Sequence, residues 1–313
     1  MKVAIVDIGS NTTKVLVAQK NELGLLCPVA QKSLPCRLAK GLGKGEYILS
    51  NTAIEFTVKV IDELIDFSKG FSPDLIKIVA TEALRRLKNA DVLIERVKKE
   101  FGFSAEIISG SEEASFIARG LMTDPSVSSL NEFYAIDLGG GSLEMMRVVD
   151  GTPIYINSLP LGSVVLAEKF LGDLSLKPAP GNILALQNYI SGVLEDNAFP
   201  IAQKHVHLVG TGGAIVFLRQ LICSSKKVEF LEHFNLSFSD IEKLTYQIIS
   251  VNLHERISQF NELPRDRADV FPAALIVILE LMKFLNLANL THSLHNLRYG
   301  LADEILTDFL PPN

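Results

Sequence analysis

A chain of 313 residues is long enough for two domains, each with its own hydrophobic core. Hydrophobic content of 48% beside 21% charged residues is ordinary for a soluble globular protein. A net charge of −6 excludes a chain built as a whole to coat nucleic acid, so any polyanion must be held by local basic residues.

The chain opens on a β-prone run without the n-region and h-region of a signal peptide, and a cytoplasmic location is expected. Residues 3–17, VAIVDIGSNTTKVLV, read as a strand, a turn holding Asp7, Gly9, Ser10, Asn11 and Thr12, and a second strand. A third short strand is expected around Leu23 to Val29. An irregular loop follows, with Arg37, Lys40 and Lys44 among Gly41, Gly43 and Gly45. It holds neither a GK[ST] nor a GxGxxG, which excludes a Walker A loop and a dinucleotide fingerprint. Ser50 or Asn51 can cap a helix carrying Ile54, Val58, Ile61, Leu64 and Ile65. Leu75 to Ala80 reads as a buried strand delivering Thr81, Glu82, Arg85, Arg86 and Lys88 to a helix start. Cations there oppose the helix dipole unless an anion compensates, and a solvated face explains them equally well. Phe103 to Ile108 reads as a strand ending in SGSEEA. Ser109 or Ser111 would cap the next helix, and Glu112 and Glu113 both suit its first turn. The sequence does not single out either glutamate. Cys27, Cys36 and Cys223 lack CxxC spacing, and their odd number argues against a disulfide framework.

Thr123 to Asn131 is the best linker candidate. Beyond it, Tyr134 to Arg147 reads YAIDLGGGSLEMMR and repeats the opening hairpin: Asp137 matches Asp7 and Gly139 matches Gly9 at an offset of 130 residues. Glycines in such a turn expose successive N–H groups suited to phosphate oxygens, while Asp137 and Glu144 are hard ligands suited to hydrated Mg²⁺. An ordinary glycine-rich hairpin is the alternative for one copy; two copies suggest duplicated α/β domains clamping one phosphate group. A hairpin turn at Asp150–Gly151, a helix after Gly162 and another from Ile183 follow. His205 to Val209 reads as a strand leading through Gly210, Gly212 and Gly213 into a helix, an anion contact or simply a close-packing turn. Asp240 is expected to cap the next helix. Phe271 to Leu290 is nearly long enough to span a bilayer, but Glu280 and Lys283 interrupt it. A core helix is the default there, with a homodimer interface the alternative. The chain closes on an amphipathic helix, ADEILTDFL. HExxH, paired CxxC and GxSxG are absent from the sequence, and His205 and His207 alternate as packing residues do.

The ordered set VDIGSNTTK, ATEALRRLKN, EIISGSEEA, AIDLGGGSLE, SLPLGSV, GTGGA, RADVFPA and LRYG resembles the exopolyphosphatase / guanosine pentaphosphate phosphohydrolase (Ppx/GppA) family of the actin-like ATPase superfamily. The resemblance implies two actin-like (ribonuclease H-like) α/β domains, 1–123 and 124–313, with the active site in the cleft between them and the helix around 300–313 packing back on the first. It implies that Glu113 positions the attacking water. Asp137 and Glu144, with Asp7 facing them, would coordinate Mg²⁺ or Mn²⁺. Gly9, Ser10, Asn11 and Thr12, with Gly139, Gly140, Gly141 and Ser142, would hold phosphate. Arg85 and Asn89 match the family's phosphate-binding pair, and Gly212, Arg267 and Arg298 match later motifs of the same kind.

The chain departs from the family pattern where Leu143 replaces a threonine, where Leu87 replaces an alanine, and at Ala273 and Ala274 where a glycine is common. It also resembles the short members, without the C-terminal helical extension. The expected reaction is hydrolysis of the terminal phosphoanhydride of polyphosphate, with guanosine pentaphosphate as the alternative substrate. A non-catalytic sensor, kept open by Leu143, and a superfamily kinase are further readings. No nucleic-acid or membrane partner is expected.

Overall fold

Two β-branched runs flanking Gly9 pair as antiparallel strands β1 (Lys2–Ile8) and β2 (Thr12–Lys20), the second bringing Val15, Leu16 and Val17 into the same buried core as Val3 to Val6. The computed structural model describes residues 1–45, 47–197, 199–200, 206–229 and 235–309. Strand β3 (Leu26–Pro35) begins later than expected and runs on to Pro35 at the sheet edge. Ser50 then caps α1 (Asn51–Lys69), its Oγ accepting from the Ala53 amide at 3.2 Å. Strand β4 (Leu75–Ala80) lies parallel to β1 and is followed by α2 (Glu82–Arg86) and α3 (Ala90–Phe101). Strand β5 (Ala105–Ile107) completes the order β3-β2-β1-β4-β5, and α4 (Gly110–Met122) follows.

The duplication seen in sequence is a duplication of topology. Strands β6 (Glu132–Leu138), β7 (Leu143–Val149) and β8 (Thr152–Leu159) form a second meander, with Asp150 and Gly151 both at positive φ (48° and 74°) in the turn between the last two. Helices α5 (Ser163–Phe170) and α6 (Pro180–Asp196) lead to β9 (His207–Thr211), parallel to β6. His205, expected to begin that strand, lies outside the described residues. The remaining elements are α7 (Gly213–Lys226), β10 (Asn235–Ser237), α8 (Phe238–Ile249), α9 (Leu253–Gln259), α10 (Phe271–Phe284) and β11 (Asn289–His292). The sheet order is β10-β11-β9-β6-β7-β8. Read from its other end, its first five strands repeat the first sheet, and β10 is an added antiparallel edge.

The cap of α8 is Ser237 rather than Asp240, which sits in the first turn and accepts from Ser237 Oγ and Lys226 Nζ. Helix α10 is a core helix, with every residue from Phe271 to Leu279 buried, and the end of the apolar run turns into β11. Among the described residues no helix is long and apolar enough to cross a membrane.

The chain divides into one unit of Met1–Ser128 with His295–Asn313 and a second of Ser129–Leu294. Residues 124–128 therefore belong with the first unit, not the second. The first also reclaims the chain from His295, before the last helix, α11 (Leu297–Asp308), begins. That helix crosses α4 at two glycines. A Cβ on Gly120 would collide with the Asn296 carbonyl, and one on Gly300 with the Phe116 carbonyl. Backbone touches backbone there, and Arg119 secures the rim through Asp303 (2.8 Å) and Glu304 (3.2 Å). Overpacking a contact of this kind costs about 1–3 kcal/mol. Gly300→Ala is expected to lower the chemical denaturation midpoint accordingly; an unchanged midpoint would show that the two helices separate without loss.

Candidate functional site

In each unit, parallel strands end where their neighbours' loops begin, and that carboxyl edge is where open α/β sheets hold ligands. In the first unit the Thr81 amide donates to Ile8 O (3.3 Å) and the Ile108 amide to Ala80 O (3.1 Å), so the ends of β1, β4 and β5 lie side by side. Asp7 stands at this edge, opposite Lys14 on β2. Its residue keeps some exposed surface, but Oδ1 is sealed from water and has no hydrogen-bond partner. Burial pushes the Asp7 pKa up, against the opposing pull of the Lys14 and Arg298 charges.

The structure separates the two glutamates that the sequence left equivalent. Glu112 closes a capping box: its carboxylate accepts from the Ser109 amide (2.7 Å) while its own amide donates to Ser109 Oγ (3.2 Å). Hydrogen bonds from Ser109 hold its pKa below the usual carboxylate range. Glu113, one residue on, turns inward to 8% exposure and accepts from Arg85 Nη2 at 2.8 Å. Arg85 also donates through Nη1 to Ile108 O (2.6 Å) and through Nε to Glu82 (3.1 Å). Burial works against the Arg85 charge, but Glu113 and Glu82 more than offset it and hold the pKa above the ordinary value. The first anion that this arginine compensates is thus Glu113.

Asn89 bonds to backbone 40 residues away. Its Oδ1 accepts from the Leu49 amide (2.8 Å) and its Nδ2 donates to Leu49 O (2.9 Å), clasping the loop before α1. Arg298 is buried at the start of α11, where Nη1 donates to Val15 O (3.2 Å).

The second unit repeats the edge with different chemistry. Asp137 faces Glu144 across β6 and β7, at the register where the first unit pairs Asp7 with Lys14. Two acids directly opposite repel unless a proton or cation intervenes. Glu144 is 1% exposed, and its Oε1 accepts from Ser142 Oγ (2.7 Å) and Ser158 Oγ (2.8 Å). Ser158, overlooked in the sequence, is Glu144's cross-strand partner on β8 and could have been found by pairing the meander. Gly212, at φ 96°, brings the β9–α7 junction so close to Asp137 that a Cβ would strike Oδ1. Arg267 approaches Gly213, its nearest guanidinium nitrogen 3.4 Å from where a Cβ would stand, and lies over Phe217. Behind it, buried Arg256 donates to the carbonyls of Ile248, Val251 and Ala268, with its pKa lowered to about 10 by burial. Leu143 is wholly buried between Leu138 and Leu159, so the missing threonine is replaced by apolar packing. Leu87 is likewise buried.

Among the described residues no group of three or more His, Cys, Asp or Glu side chains is placed to hold a metal. Asp137 and Glu144 offer the pair of hard carboxylates with which Mg²⁺ is commonly held, its other positions going to water and phosphate. The sealed Oδ1 of Asp7 is a second buried oxygen of the same chemistry.

The sequence model of the Ppx/GppA phosphatase family matches residues 16–309. The chain belongs to the Ppx/GppA phosphatase family. It is 28% identical over 305 residues to the guanosine-5'-triphosphate,3'-diphosphate pyrophosphatase of Aeromonas salmonicida, covering 97% of this chain and 59% of that protein. The corresponding protein of Vibrio atlanticus is 26% identical, with 98% and 59% covered. The chain therefore spans about three-fifths of the length of these curated relatives. The Aquifex aeolicus PPX-GPPA enzyme superposes with a TM-score of 0.80 at 27% identity, covering 97% of this chain and 99% of that one. An exopolyphosphatase from Cytophaga hutchinsonii superposes with 0.87 at 21% identity, with 98% of each chain covered, a likeness of fold. The two-domain, actin-like α/β fold is that of these family structures.

Because folded Asp7 holds its proton more tightly than the unfolded chain does, its contribution to stability is complete below 3.8 and is lost as pH rises through the folded value. Once ionised, the carboxylate is thus a burden. Asp7→Asn is expected to raise the thermal midpoint of the metal-free protein at pH 7, by a margin that shrinks as the pH falls. A midpoint lowered at pH 7 would mean that the carboxylate is stabilising.

Proposed function

We propose that the protein hydrolyses the terminal phosphoanhydride of inorganic polyphosphate and releases orthophosphate. What supports this reading most is the Arg85–Glu113 pair in a family member: a carboxylate turned inward at the sheet edge and fixed by a bidentate-capable partner. Glu113 accepts a hydrogen bond from the attacking water and takes its proton as the oxygen closes on phosphorus. Arg85 acts through Glu113, fixing the rotamer so that water approaches in line with the leaving oxygen. The turn at residues 9–12 in the first unit, and that at 139–142 in the second, each present amides suited to phosphate oxygens, where charge accumulates. Asp137 and Glu144 would hold Mg²⁺ or Mn²⁺, which when bound neutralises phosphate charge, and Asp7 is the carboxylate at the matching edge of the first unit. Gly212 and Arg267 stand beside Asp137 and extend the donor set; Arg298, next to Asp7, supplies counter-charge.

Guanosine pentaphosphate is the second substrate reading, favoured by the names of the curated relatives. The protein would release orthophosphate from its 5' end by the same chemistry. Orthophosphate release with Mg²⁺, measured on short and long polyphosphate, guanosine pentaphosphate and ATP side by side, separates these readings. Preference for polyphosphate is expected; preference for the pentaphosphate moves the protein to the second, and binding without release makes it a sensor. Glu113→Gln is expected to lower the rate about 10²–10⁴-fold, as loss of a general base does. Glu112→Gln, altering only the cap, should leave the rate unchanged. Equal losses would remove Glu113 from the chemistry.

A further inference from the structure

The loop Cys36 to Ala39 and the segment Gly162 to Val165 each reach the back of one glycine turn. In the first unit Asn11 O accepts from the amides of both Cys36 and Arg37 (3.0 Å each), Ser10 O from the Ala39 amide (2.7 Å), and Gly9 O from Cys36 Sγ (3.3 Å). In the second, Gly139 O accepts from the amide (3.0 Å) and Oγ (3.2 Å) of Ser163, and Gly140 O from the amides of Val164 (3.0 Å) and Val165 (3.2 Å). Five turn carbonyls are tied from behind.

We propose that these two segments are positioning elements that orient the phosphate-facing amides of the turns. In a planar trans peptide the C=O of one residue and the N–H of the next point to opposite sides, and no cis peptide occurs among the described residues. Tying the carbonyls of Gly9 and Ser10 therefore turns the amides of Ser10 and Asn11 away from the brace. Tying those of Gly139 and Gly140 does the same for Gly140 and Gly141. A turn left to itself could rotate its carbonyls toward the ligand, where they would repel phosphate. The inference deepens the functional reading above and rests on it.

The two units reach this result by different backbone devices at the same topological point, just after the third strand of the meander. In the first, the Cys36 and Arg37 amides converge on Asn11 O, and Arg37, in a left-handed conformation (φ 52°), turns the chain so that the Ala39 amide reaches Ser10 O. In the second, the first amides of α5 are used on carbonyls of the protein itself. Gly162, the residue before that helix, lies so close that a Cβ would fall 2.5 Å from Gly140 O. The SLPLGSV motif thereby acquires a physical purpose.

The test separates backbone from side chain at Arg37. Glycine takes the left-handed conformation without strain, whereas a β-branched residue resists it. Affinity of the full-length protein for inorganic tripolyphosphate, measured calorimetrically, is expected to fall about tenfold in Arg37→Val and to stay near wild type in Arg37→Gly. Equal loss in both would place the effect in the guanidinium and overturn the inference, as would full affinity in Arg37→Val. Should Arg37→Val fail to melt cooperatively, Ser163 decides. Ser163→Ala, which loses the hydroxyl on Gly139 O, should weaken binding and Ser163→Thr restore it; no difference between those two overturns the brace. Absence of tripolyphosphate binding in the wild-type protein would instead overturn the functional reading, and this inference with it.

Discussion

Cross-strand register governs both halves of this molecule. The hairpins β1–β2 and β6–β7 close with the same spacing, Ile8 against Thr13 and Leu138 against Leu143, so the preceding pairs are forced into equivalence. Asp7 then faces Lys14, and Asp137 faces Glu144. One fold element yields two electrostatic environments: a carboxylate beside a cation, and two carboxylates side by side. A one-residue slip in either hairpin would send its acid to the opposite face of the sheet. The buried strands around each hairpin hold the register at that edge.

Stability and chemistry pull apart at these positions. Asp7 keeps a sealed oxygen without a partner, and Glu144 is buried with two serine hydroxyls on a single oxygen. Arg85 is committed to two acids and a carbonyl. Such arrangements cost folding free energy unless every charge is matched, and the surrounding apolar elements, β1 and α10 above all, offset the cost. Elsewhere the molecule keeps to ordinary means: capping boxes at α4 and α9, and a glycine crossing between α4 and α11.

Much of this was legible in the sequence because it depends on short-range pattern. The repeated Asp–Gly turn predicted duplicated α/β units, and the eight ordered motifs pointed to the family. What remained hidden depends on contacts between distant residues. Glu112 and Glu113 suit a first helical turn equally by charge; the structure separates them through the Ser109 capping box, which takes Glu112, and through Arg85, on another helix, which takes Glu113. Asn89 matched a motif, but the Leu49 backbone that takes both its polar groups lies 40 residues away. The early return of the chain to the first unit had a signal that went unread: Gly120 and Gly300, each inside a helical pattern, mark a close backbone approach. The carbonyl ties behind the turns involve main-chain donors, which composition does not reveal.

The central claim is that water, directed by Glu113, attacks the terminal phosphorus of a phosphoanhydride. Turnover of short polyphosphate in ¹⁸O-labelled water, followed by mass spectrometry of both products, tests it directly. The label is expected in the released orthophosphate and not in the shortened chain. Label in the shortened chain, or phosphate passed to an acceptor without label, would contradict it.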